Sequence, residues 1–284
     1  MLMKGSLRIA RIFGIPVELH WTFAFILLGA VYWGFSEGGG WRSALWFLAL
    51  VLSLFFCVLL HEFGHALTAR RFGVTTKDII LSPIGGIARL NKLPDKPFQE
   101  FLVAAAGPLV NVAIAIALSP MYFLSGSQKK MQLIGSVLPS SNVFLTDLSL
   151  TERLLFFVLF LNLILAIFNL LPAFPMDGGR ILRALLSTRL DRRQATRVSM
   201  YIGQAIALAF IIMGLTEMEI GSMKMSFMIA FIGLFVFVSA SNEYRYVRFS
   251  HMLEQASVDH LLRKNLSPVY PETHMEFVVE TYAE

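Results

Sequence analysis

The chain has 284 residues, 56% of them hydrophobic and 15% charged, and carries a net charge of +5. Soluble domains hold about 25% charged residues, so this composition, with a mean hydropathy of +0.66, excludes an ordinary soluble protein and indicates a membrane-embedded one. A single cysteine, Cys57, excludes an internal disulfide.

Six candidate spans follow in chain order: Val17–Phe35, Trp41–Ala69, Phe98–Leu124, Arg153–Leu171, Val198–Leu215 and Met225–Ala240. A crossing helix needs about 20 mostly apolar residues, and the sixth run is shorter than that. The first run has no small-residue cleavage site, so it reads as a span rather than a removable leader. The expected fold class is an all-α integral membrane protein with six transmembrane helices over residues 1–248 and a tail over 249–284.

Basic residues set the orientation. With the N-terminus in the cytoplasm, 19 of the 24 Lys and Arg fall on the inner side. Both termini are therefore expected in the cytoplasm, with the chain in the plasma membrane. These charges sit at span ends, where they suit anionic lipid headgroups rather than nucleic acid. Nothing in the sequence fixes an oligomeric state.

Between the second and third spans, residues 75–97 are broken by Pro83, Gly85 and Gly86. The stretch reads as a short re-entrant, β-hairpin-like loop. Two uses stand open: a plain cytoplasmic hairpin, or a sheet edge beside an active site that pairs with an extended substrate.

The second span ends in His61-Glu62-Phe63-Gly64-His65. On a helix the two histidines are four apart and share a face, so both can meet one metal ion. Glu62 is placed to act as general base toward a water at that metal. A catalytic zinc needs a third protein ligand. Asp177 is the candidate, in the stretch from Asn169 to Gly179 after the fourth span. Both spans run outside to inside. His65 lies five residues before Arg70 and Asp177 three before Arg180, so the two motifs fall at similar depth. A carboxylate also offsets the charge of Zn²⁺ among neutral imidazoles, which is otherwise costly near hydrocarbon. Met176-Asp177-Gly178-Gly179 also reads as an ordinary turn.

Pro172 and Pro175 break the fourth span and free the carbonyl of Phe168. Asn169, at that break, is expected to position substrate or donate to a developing oxyanion, or else to bond a neighbouring helix. Asn111 is polar inside the third span, so it needs a partner, and substrate is one candidate. Gly85 and Gly86 are candidates for substrate positioning through the hairpin. Ala104–Gly107 reads as close packing against the active-site helix. His20 reads as an interfacial anchor rather than a metal ligand.

Taken together, HEFGH at 61–65, GPLVN at 107–111 and the N-x-x-P-x-x-P-x-D-G pattern from Asn169 to Gly178 resemble the site-2 protease family of intramembrane zinc metalloproteases. The resemblance runs over roughly residues 6–248. It implies one zinc per chain held by His61, His65 and Asp177, with Glu62 as catalytic base. It also implies a membrane-protein substrate cut within or near its transmembrane segment. The branch it looks nearest to carries CBS domains, and Ala256–Glu284 resembles the opening of a shortened CBS repeat. A plain cytoplasmic extension is the other reading of that tail. The rival functions are a transporter or metal-permeation protein using the same ligands, and a non-catalytic scaffold of the same fold.

Overall fold

A computed structural model describes residues 5–36, 38, 40–83, 85–92, 94, 96–124, 149–216, 219–220, 223–224 and 227–255. The compact unit is Met1–Tyr244. Its elements are β1 (Ser6–Ile12), β2 (Ile15–His20), α1 (Phe23–Ser36), α2 (Gly40–Arg71), β3 (Thr76–Ser82), β4 (Gly85–Leu90) and α3 (Pro97–Leu124). They continue with α4 (Leu150–Leu170), α5 (Asp177–Leu186), α6 (Arg192–Leu215), β5 (Glu219–Ile220), β6 (Met223–Lys224) and α7 (Phe227–Gln255). The last helix runs on into a second unit, Arg245–Glu284. The tail read as a shortened CBS repeat, 256–284, lies outside the described residues.

Among the described residues, five helices are long and apolar enough to cross a membrane: α2, α3, α4, α6 and α7. The first expected span is different. Its opening residues, Val17 to His20, belong to β2, and α1 has only 14 residues. The physical reason lies in Ile15-Pro-Val-Glu-Leu-His20, which alternates at period two. Ile15 and Val17 are buried, and Val17 to Leu19 pair in parallel with Ile79 to Leu81 far along the chain. The all-α expectation is thus corrected to a mostly helical fold with a four-stranded sheet in the order β1-β2-β3-β4. A two-residue turn joins β1 to β2. Both its residues, Phe13 and Gly14, have positive φ of 51° and 79°, the backbone such hairpin turns require.

The hairpin expected around Gly85 and Gly86 is present, with β3 and β4 antiparallel from Asp78↔Arg89 to Ser82↔Gly85. Near its open end Arg89 Nε donates to Asp78 Oδ1 at 2.5 Å. That bond, partly opposed by burial, raises the Arg89 pKa above its ordinary value. The sheet is fixed to α2 where the motif lies: Ile15, Val17 and Ile79 pack on Phe63 and Ala66. These close apolar contacts hold the strands against the motif helix. This brings β4 alongside Glu62.

Helix α4 starts at a capping box between Ser149 and Glu152, which satisfies donors the first turn would otherwise leave free. It stops at Leu170, before Pro172 and Pro175. The Phe168 carbonyl freed by Pro172 accepts the Leu171 N–H at 3.2 Å. The chain then folds back so tightly that a Cβ on Gly178 would lie 2.2 Å from the Leu171 carbonyl oxygen. Glycine there lets α5 begin at Asp177, directly beneath the end of α4. Arg183, fully buried on α5, donates through Nε to Glu100 of α3 at 2.7 Å and through Nη1 to Glu243 of α7 at 2.7 Å. These bonds set the height of α5 against its neighbours.

Candidate metal centre

His61 and His65 are both buried on α2, one turn apart, as the motif spacing requires. Asp177, first residue of α5, is buried beside them. His61 Nε2, His65 Nε2 and Asp177 Oδ2 form a triangle with all three sides 3.1 Å. Tetrahedral zinc with bonds of about 2.0–2.1 Å separates its ligand atoms by about 3.3 Å, so the triangle has the right size. It is also the one group of three such ligands among the described residues.

The far nitrogens show what the triangle lacks. His65 Nδ1 lies 2.7 Å from the Val103 carbonyl oxygen. A carbonyl can only accept, so His65 carries its proton on Nδ1 and turns a lone pair on Nε2 inward. His61 Nδ1 faces Asn111 Oδ1 at 2.5 Å, which gives it the same tautomer. With both imidazoles neutral, two lone pairs and a carboxylate oxygen meet there, an arrangement that a bound cation relieves.

Space for such an ion comes from Gly107. A Cβ there would sit 2.2 Å from His65 Nε2 and 2.6 Å from His61 Nε2. The missing side chain leaves space directly beside the ligand nitrogens of both histidines. The donor set, its tautomers and the free volume all fit a zinc ion.

A cavity of about 490 Å³ opens onto the triangle. Its wall includes Glu62, Gly85, Gly86, Asn169 and Arg180. Glu62 Oε2 accepts the Ala88 N–H at 2.9 Å, so the carboxylate is held by the backbone of β4. Gly86 stands against it: a Cβ would lie 2.7 Å from Glu62 Cγ. Asn169 Nδ2 donates to the Leu165 carbonyl at 2.9 Å, which leaves one amide hydrogen for the cavity.

Most of the residues singled out by sequence therefore converge: His61, Glu62, His65, Asp177, Asn169, Gly85 and Gly86. Asn111 is not among the residues that line the cavity. It is fully buried behind His61, with its oxygen on the imidazole and its Nδ2 donating to Asn162 Oδ1 at 2.8 Å. His20 sits at the end of β2 with Nδ1 2.6 Å from Thr22 Oγ1, outside the triangle. Three contributors escaped the sequence reading. Gly107 was grouped with packing residues. Asn162 was a lone amide in an apolar run, a signal that a partner was needed. Arg180 was counted only for its charge.

Comparison with known proteins agrees with this geometry. Residues 49–210, more than half of the chain, match the model of Peptidase family M50. A zinc metalloprotease of Methanocaldococcus jannaschii is 34% identical over 96% of this chain and 71% of its own. The stage IV sporulation protein FB of Bacillus subtilis is 28% identical over 71% of this chain, which spans 61% of that protein. The solved site-2 protease from Methanocaldococcus jannaschii superposes with a TM-score of 0.53 at 30% identity, covering 93% of this chain and 99% of that one. The chain is an integral membrane zinc metalloprotease and belongs to Peptidase family M50, the site-2 proteases.

Proposed function

We propose that the protein is an intramembrane endopeptidase that cuts another membrane protein within or near its transmembrane segment. His61, His65 and Asp177 hold the zinc and Glu62 is the catalytic base. The observation that carries this reading is the 3.1 Å triangle opening into the same cavity as Glu62. Bound zinc supplies Lewis acidity, polarising a carbonyl and bringing water toward ionisation near neutral pH. Glu62 takes a proton from the attacking water and returns it to the departing amine. The second amide hydrogen of Asn169 is available to the scissile carbonyl.

A substrate helix must unwind before its carbonyl can be attacked, and an unwound chain needs partners for its backbone. β4 is the terminal strand of the sheet, and its free edge, facing away from β3, is where the Ala88 N–H donates to Glu62 Oε2. An extended segment laid along this edge would gain strand pairing beside Glu62. Gly85 has open space around it, and Gly86 lets the strand approach Glu62 closely. The basic residues favour cytoplasmic termini, which puts the cut toward the cytoplasmic side of a membrane taken to be the plasma membrane. The substrates this fits are membrane-tethered proteins already shortened enough to enter. A permeation pathway would need further ligand groups along a route, and the described residues hold a single one.

Co-expression of tethered candidate substrates with the wild type and with Glu62→Gln tests the reading. The wild type should release the soluble portion and the variant should not. Equal release by both would remove Glu62 from the mechanism.

A further inference from the structure

His65 and His61 reach the same tautomer by different routes. At His65 the neighbour is a backbone carbonyl, which has no choice but to accept. At His61 the neighbour is the Asn111 side chain, whose two ends are an acceptor and a donor of nearly the same shape. Turned over, Asn111 would present its Nδ2 to His61 Nδ1. The imidazole would then carry its proton on Nε2, pointed at the metal, and could no longer bind it.

What selects the end lies one residue further back. Asn162, fully buried on α4, places its Nδ2 2.7 Å from the Val158 carbonyl one turn earlier, and 3.2 Å from Cys57 Sγ. The Val158 oxygen only accepts, so the amino end of Asn162 must face it. Its Oδ1 then faces Asn111, whose Nδ2 donates across 2.8 Å. Asn111 is left with its oxygen toward His61 Nδ1 at 2.5 Å. Each step has one orientation once the carbonyl at its end is fixed.

We propose that Asn162 is a positioning residue for the metal: through Asn111 it relays the polarity of the Val158 carbonyl and so fixes the tautomer of His61 that leaves Nε2 free to bind zinc. This rests on His61 being a zinc ligand. A buried amide between helices also contributes to their packing, and the test must separate the two effects.

Purified full-length chain is stripped of metal, and zinc affinity is measured by competition with a chelating indicator. Loss of a partner behind a metal-bound histidine costs about 10–100-fold in affinity. Asn162→Leu should show a loss of that order, because Asn111 is then free to turn over. Asn162→Ala asks the same question without added bulk where Leu is not accommodated. The decisive arm adds Asn111→Asp to either variant. A carboxylate presents an oxygen to His61 whichever way it turns, so most of the affinity should return. Nitrogen-15 spectra of the metal-free protein supply the second readout. His61 should carry its proton on Nδ1 in the wild type and show the Nε2-protonated form in Asn162→Leu. Unchanged zinc affinity in both single variants, or a loss that Asn111→Asp does not restore, would reduce Asn162 to a packing residue and overturn the relay. A wild type that takes up no zinc would sink the metal reading, and the relay with it.

Discussion

A Cβ on Gly107 would lie 2.2 Å from the Nε2 of His65. The residue that makes room for the ion thus comes from α3, while two of the three proposed ligands come from α2 and the third from α5. A glycine in a transmembrane helix usually marks close helix packing. Here its missing side chain defines the empty volume of the site.

Gly107→Ala should therefore abolish stoichiometric zinc binding. The added methyl crowds the ligand nitrogens of both histidines, and neither histidine can retreat without losing Val103 or Asn111. Metal analysis of purified protein should fall from near one zinc per chain to well below it, while the helical circular dichroism stays that of the wild type. Full zinc content in the variant would show that the ion lies elsewhere.

Gly86 allows a separation of binding from chemistry. A side chain there meets Glu62 Cγ at 2.7 Å and Val58 Cγ1 at 2.9 Å, and reaches no ligand atom among its nearest contacts. Gly86→Val should displace Glu62 by about an ångström, a shift that can cost about 10²-fold in rate. Zinc content should be unchanged. Activity within a few-fold of the wild type would mean that the hairpin does not hold the base in place.

The buried ion pair behind α5 predicts a stability effect. Arg183 bonds Glu100 and Glu243, and Glu100 is buried as well. Removing one partner of a buried pair leaves an uncompensated charge and costs about 3–5 kcal/mol. Arg183→Leu should lower the thermal midpoint clearly, and pairing it with Glu100→Leu should recover part of that loss. Because Arg183 stands six residues after Asp177 on the same helix, zinc affinity should fall in the single variant too. An unchanged midpoint would show that the pair is not anchoring α5.

The parts of this architecture that were legible in the sequence are the local ones. HEFGH fixes three residues on one helical turn, and helical periodicity alone brings the two imidazoles together. Asp177 could be matched to them by depth, because both motifs end spans running the same way. The hairpin at Gly85 and Gly86 was visible in its turn residues. What stayed hidden depends on contacts between distant segments. β2 was absorbed into the first span because Ile15 to His20 leads straight into an apolar run. Its partners are β1, across a two-residue turn, and β3, some sixty residues on, and the second pairing is the one a local window cannot show. The same holds for Gly107, whose importance arises from an approach by α2, and for Asn111, whose bonded partners are His61 and Asn162. A single sequence window shows that a buried amide needs a partner but not which one.

The proposed chemistry is that zinc at His61, His65 and Asp177 works with Glu62 to cut a peptide bond inside the membrane. The most direct measurement places the purified, zinc-loaded chain in liposomes with a membrane-tethered single-span substrate, and maps the products by mass spectrometry. One cut is expected within or beside the substrate's span toward its cytoplasmic end, lost in Glu62→Gln although that variant keeps its zinc. Loss on chelation and return with added zinc are expected as well. Cleavage of the same bond at the same rate by Glu62→Gln, or by the chelated wild type, would contradict the proposed chemistry.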